Sequence, residues 1–216
     1  HHVNNQESDW NSSDTVDEVA AMRAIVPIAI RASEILSVDA DLRGAWKELC
    51  ENLPPLPPGP QPAEYFDLIT VASSDTEAVK RLRAEIERKP VDANTRLNVL
   101  SREAVAAANL GLADRVRYMI PGQIRTPAKE GCDTWGIGPI GPAPMRNRLG
   151  MREGPGCIEC ERLGNAANAL HAALLQSAPP APGGESAIRV FPAWPRQWDA
   201  QFNLAARGAM TVGASM

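Results

Sequence analysis

Aromatic residues are scarce in this chain: five Trp, three Phe and two Tyr make up 5% of its 216 residues. A core with so few rings is filled by aliphatic side chains, and a cleft that stacks ligands on rings is sparsely furnished. Long apolar runs are missing too. The most apolar stretch, Val19 to Leu36, is broken by Arg23, Pro27, Arg31 and Glu34, which excludes the roughly 18–20 uninterrupted apolar residues of a membrane span. Clustered positive charge is the third absence. Lys and Arg total 22 against 26 Asp and Glu, a formal net charge of −4, and the basic residues form no stripe, so the electrostatic footprint of a nucleic-acid partner is lacking.

Metal-binding side chains are few, with four Cys and three His. Only Cys157 and Cys160 are close in sequence, in "CIEC". A structural zinc site asks for four ligands, usually as two close pairs, and a second pair would have to come from Cys50, Cys132 or His171. A redox Cys-x-x-Cys expects a βαβ setting that the flanks do not provide. The expectation is therefore no metal and no cofactor, with the cysteines as small half-buried thiols. The chain does not start with Met, and its alternating end, "AARGAMTVGASM", has no closing turn; both lead us to expect a piece of a longer protein.

What the sequence does have, at 44% hydrophobic and 22% charged residues, is a series of helical periods. Thr15 and Glu18 form a capping box ahead of "VAAMRAIVPIAIRASEIL", apolar on nearly every face, which predicts a helix buried on most sides and kinked at Pro27. A second helix in "DLRGAWKELCENL" places Leu42, Ala45, Trp46, Leu49, Cys50 and Leu53 at helical spacing, with Trp46 in the core, and stops at a Pro-rich piece over 54–62. Ser74 and Glu77 cap a third, with Val79, Leu82 and Ile86 on one face. A fourth over 94–110 carries Leu97, Leu100, Ala104, Val105 and Ala108 and ends at Gly111, a left-handed stop; a short fifth over 113–120 completes a helical hairpin.

From Pro121 to Gly156 the density of Gly and Pro predicts irregular chain, and an irregular stretch this long is usually functional. A sixth helix over 161–176 is expected to anchor itself through Leu163, Ala167, Leu170 and Leu174. After it the period changes to two, in "AIRVF" and "AMTVGASM". The chain reads as mainly α, a set of paired helices followed by strands.

The run "ERLGNAANALHAALLQS", then "IRVFPAWP" and "LAARGAMTVGASM", resembles the junction between the helical catalytic domain and the C-terminal β-domain of bacterial glycoside hydrolases of family 95, the α-L-fucosidase family. "IRASEILSVDADLRGAWKELCENLPPLP" resembles that family's recurring helix pair. The resemblance implies that residues 1–178 are the C-terminal portion of an (α/α)6 toroid and 179–216 the junction and first strands of a β-domain. It also implies a secreted or periplasmic enzyme that cleaves terminal α-linked, fucose-like or galactose-like sugars from an oligosaccharide or polysaccharide with inversion. Where the family carries an Asp followed by "GNFGG", this chain has Glu161 followed by "RLG".

An inverting glycosidase needs an acid and a base with carboxyl groups about 6.5–9.5 Å apart. Glu161 stands where loop becomes helix, a position that keeps a carboxylate ionised as a base requires, although first-turn acids also serve simply to complement the helix dipole. Glu159 is the alternative, pointing the other way in an extended approach. For the acid, Glu7 lies close to Trp10, whose ring would exclude water and raise its pKa; Asp9 competes. Trp10 and Trp135 are candidates for stacking on a sugar, and Asn5 (with Asn4) and Asp133 for bonding its hydroxyls, though Asn and Asp are also ordinary turn formers. The same helices would equally build a non-catalytic carbohydrate-binding protein or a helical scaffold.

Overall fold

The computed structural model describes residues 2–3, 12–13, 16–55, 76–97, 101–124, 160–179 and 183–216. Among them the chain is mainly helical, with three two-stranded antiparallel pairings. It divides into two compact units, His1–Glu85 with Ser177–Ala187, and Ile86–Gln176 with Ile188–Met216.

In the first unit β1 (His2–Val3) pairs with β2 (Ser12–Ser13), and α1 (Val16–Leu36) packs on α2 (Arg43–Glu51). Thr15, the expected cap of α1, lies outside the described residues. Helix α1 passes through Pro27 without ending, because the ring removes only one hydrogen bond from a 21-residue ladder. The loop residue Gly183 comes so near that a Cβ there would stand 2.9 Å from the Pro27 carbonyl oxygen. The expectation of burial on most sides is overturned. Val19, Ala20, Ala24 and Ser33 are buried, but Ile25, Ile28, Ile35 and Leu36 are exposed, because α2 is the helix that packs on α1 and one neighbour covers only one side.

The α1–α2 turn is built from backbone geometry rather than glycine. Ser37 has a φ of 56°; the Ser37 N–H donates to Glu34 O at 3.4 Å and the Val38 N–H to Ser33 O at 3.1 Å, the paired bonds of a Schellman ending. Arg43 reinforces it by donating from Nε to Ser33 Oγ (2.6 Å) and from Nη2 to Ser33 O (2.8 Å) and Val38 O (3.2 Å). Helix α2 itself has no buried residue. Trp46 is half-buried rather than a core side chain, and Leu42 and Ala45 are exposed, whereas Leu53 just beyond is buried. Arg23 Nη2 donates to Pro54 O at 2.9 Å, fastening the end of this pair to α1.

Helix α3 (Thr76–Arg88) buries Leu82 and Ile86 and half-buries Val79, the face read from its spacing; the expected cap Ser74 lies outside the described residues. The fourth helix is much shorter than expected. α4 spans Glu103–Asn109, because Asp92 diverts the chain into a turn: its Oδ1 accepts the Asn94 N–H at 2.7 Å, its N–H donates to Thr95 Oγ1 at 2.8 Å, and its carbonyl accepts the Thr95 N–H at 3.1 Å. All five residues Ala104 to Ala108 are buried. The stop at Gly111 is as read, with φ of 75° and the Gly111 and Leu112 N–H groups donating to Ala108 O and Ala107 O.

Helix α5 (Ala113–Ile124) continues through Pro121 to four residues beyond the expected end. Gly122 explains the extension: a Cβ there would be 2.9 Å from Thr95 O, and its own carbonyl accepts the Leu97 N–H at 3.2 Å, so the last turn is clasped by the segment before α4. α6 spans Cys160–Leu174. Its buried face is Asn165, Ala166, Ala169 and Ala173, not the expected one; Leu163 and Leu174 are half-buried and Ala167 and Leu170 exposed. Small residues win because α6 packs along α4, whose buried side is alanine, and two such helices approach more closely than leucines would allow.

Beyond α6, β3 (Leu175–Gln176) pairs with β4 (Arg189–Val190). The segment Phe191 to Trp198 then packs as a knot of rings: Phe191 lies edge-on to Phe202 at 5.3 Å, Trp194 edge-on to Trp198 at 5.4 Å, and Trp194 Nε1 donates to Trp198 O at 2.8 Å. β5 (Gln201–Ala206) and β6 (Met210–Ser215) close a hairpin in the register Ala206↔Met210 to Gln201↔Ser215. Of the two expected strands, "AIRVF" holds only the two residues of β4, and "AMTVGASM" supplies β6. β5 was not expected.

Candidate functional site

Helix α6 is the element on which the strongest candidate, Glu161, is carried, and the fold fastens its far end. The Phe191 N–H donates to Leu174 O at 2.7 Å and the Ala193 N–H to Ala173 O at 3.3 Å. Gln176 Nε2 donates to Ala172 O and to Ala108 O, both at 3.0 Å, so one amide closes the C-terminal ends of α6 and α4 together. The carbonyls that a helix end leaves open are thus satisfied by protein.

These bonds set the direction of the three helices. The C-terminal ends of α4 and α6 meet near the Gly111 turn, where a Cβ on Gly111 would be 3.4 Å from Pro192 O. Helix α5 runs on from that turn and packs against both α4 and α6. The core of the unit also holds polar side chains. Ser101, Gln123 and Asn165 are the buried polar residues of this unit among those described, at 3%, 0% and 8% exposure, within a core otherwise dominated by alanine and aliphatic side chains. Burying an amide costs free energy unless it is bonded; both Gln123 and Asn165 are engaged in interactions, although the buried Oε1 of Gln123 accepts no hydrogen bond among the described residues. Sequence reading missed all three. Asn165 was visible as a polar break in "GNAANAL", but Gln123 sat in what read as a Gly/Pro loop.

Glu161 stands in the first turn of α6. Over 15 residues the helix is about 22 Å long, and its dipole favours a negative charge at the first turn. The side chain of Glu161 is outside the described set, as are Glu7, Asn5 and Trp10 near the chain start, Asp133 and Trp135, and the competitors Asn4, Asp9 and Glu159. Charged groups elsewhere in the unit fasten structure: Lys89 Nζ meets Glu103 Oε1 at 2.5 Å, and the Arg115 guanidinium donates to the carbonyls of Glu87 and Lys89 at the end of α3.

Among the described residues there is no group of three or more His, Cys, Asp or Glu placed to hold a metal ion. Cys50 is a free, half-buried thiol whose pKa is raised, first by burial and then by neighbouring Glu51, against a lowering by Arg23. No described helix is long and apolar enough to cross a membrane. No family model matches the chain, and neither the curated proteins nor the solved structures contain a match to it.

Proposed function

We propose that the chain is the C-terminal part of the catalytic region of an inverting glycoside hydrolase of the family 95 type, acting on terminal α-linked fucose-like or galactose-like sugars of a polysaccharide. In this reading residues 1–178 belong to an (α/α)6 toroid, 179–216 begin a β-domain, and the protein is secreted or periplasmic. The observation that carries it is the placement of Glu161 in the first turn of a helix whose opposite end is bonded by Phe191, Ala193 and Gln176. A base must be ionised and held still; the helix start supplies the first and the fastened helix the second.

Glu161 is the general base in front of a water, Glu7 the acid kept protonated beside Trp10, and Asn5, Asp133 and Trp135 contact the sugar. No cofactor takes part. The test is a panel of aryl glycosides with the intact protein, comparing Glu161→Gln with Glu159→Gln. Glu161→Gln is expected to keep folding and substrate binding while lowering turnover by about two to four orders of magnitude, the scale of general base catalysis. Normal turnover in Glu161→Gln with loss in Glu159→Gln moves the base two residues back. Activity in both variants removes the catalytic assignment of this loop, and no hydrolysis by the parent of any glycoside removes the hydrolase reading in favour of a carbohydrate-binding or scaffold protein.

A further inference from the structure

We propose that Phe191 is a strained latch: the β5–β6 hairpin, through Phe202, holds Phe191 in a backbone conformation it would otherwise leave, and release of the hairpin opens the C-terminal end of α6. Phe191 has a φ of 55°, in the left-handed region where a bulky side chain is an outlier. The residue after it is Pro192, and a proline ring pushes the preceding residue toward extended backbone with negative φ. Two local preferences therefore oppose the observed conformation. A backbone held in so sparse a region is disfavoured roughly ten- to a hundredfold and persists only where its surroundings over-determine it.

The register shows why the chain takes this conformation. β4 pairs Arg189 with Gln176 and Val190 with Leu175; the Phe191 N–H then donates to Leu174 O at 2.7 Å and the Ala193 N–H to Ala173 O at 3.3 Å. One step along the end of α6 is matched by two on the other side, so Pro192 is an extra residue, and such an insertion commonly places glycine at its left-handed position. Phe191 stands there instead, and what it gains is a ring contact, edge-on to Phe202 of β5 at 5.3 Å and 74°. An aromatic pair in this geometry attracts beyond its burial. The partner that supplies it is loosely held: no residue of β5 or β6 is buried, and elements with little buried surface are among the first to open. When the hairpin leaves, Phe191 keeps its strain and loses the contact that offsets it. The backbone turns to negative φ, the Phe191 N–H swings off Leu174 O, and carbonyls in the last turn of α6 lose their donors. The hairpin and the end of α6 thus open together.

Residue-resolved amide hydrogen exchange of the chain tests the latch and does not depend on hydrolysis. Phe202→Ala is expected to lower the protection of the Phe191 and Ala193 amides, and of those over 172–174, by about tenfold or more, while the amides over 104–108 keep theirs. Adding Phe191→Gly to Phe202→Ala is expected to restore most of that protection, because glycine adopts positive φ without steric cost. Phe191→Ala in the same background keeps a Cβ and is expected to restore none. Phe202→Leu, which keeps the strand apolar and removes the edge-on ring, carries the same expectations and decides the matter should Phe202→Ala not fold, a failure the amides over 104–108 report. Unchanged protection at Phe191 and Ala193 after loss of the ring overturns the proposal, since the hairpin then does not hold the joint. So does a loss that leaves 172–174 protected, because the end of α6 is then independent of the latch. A glycine variant no better protected than the alanine one also overturns it, because the joint then carries no strain.

Discussion

Ser37 occupies the left-handed position that ends α1, with φ of 56°, where a side chain costs roughly 1–2 kcal/mol. Among the described residues its hydroxyl makes no hydrogen bond to offset that cost, and the ending is secured by backbone groups and by Arg43. Glycine there would relieve the strain and lose about 0.5–1 kcal/mol through a freer unfolded chain. The relief is the larger quantity, so Ser37→Gly is expected to stabilise the protein by about 0.5 kcal/mol. An unchanged or lowered urea midpoint would show that the turn carries no such strain. The comparison with Gly111 shows what a sequence can tell a reader at this scale. Both positions end helices with the same pair of bonds, but only glycine announces a positive φ; serine suits turns, caps and surfaces alike, so Ser37 gave no sign.

At the scale of elements, helix existence was legible and helix faces were less so. Capping boxes and apolar spacing located α1 and α3, and the change of period located β6. α6 was found within a residue at its start, yet its buried side was misread, because a leucine at helical spacing carries more apparent weight than an alanine. Close helix approach inverts that weight, and it depends on the facing alanines of α4, which are more than 50 residues away in sequence. The same long range hid Gln176, whose amide joins Ala108 O and Ala172 O. Gln176→Leu keeps the bulk and removes both donors. It is expected to lower stability by about 1–2 kcal/mol, the cost of leaving carbonyls at a half-buried site short of a donor, seen as a lower urea midpoint with an unchanged slope. A loss within a few tenths of a kcal/mol would mean that Gly111 N–H and solvent suffice to satisfy those carbonyls.

At the scale of the whole molecule, the aliphatic composition decides where rigidity resides. With few rings to spend, the chain concentrates its burial in alanine-lined contacts: α4 is covered on every side, and α6 along one, whereas α2 has no buried residue and α1 leaves a long stripe open. The proposed catalytic pair could not be assembled from sequence in the same way, since the approach to Glu161 and the neighbourhood of Glu7 are segments without a helical or alternating period to place them. Burial does predict how the molecule opens. Local unfolding free energy follows buried contacts rather than the number of helical hydrogen bonds, so helices of similar length should differ widely. Amide hydrogen exchange followed by mass spectrometry is expected to be slowest over 104–110 and 165–173. Over 43–51 it is expected to be faster by orders of magnitude, although α2 is longer than α4. Protection in α2 equal to that in α4 would mean that α2 is covered and that burial does not order the opening of these helices.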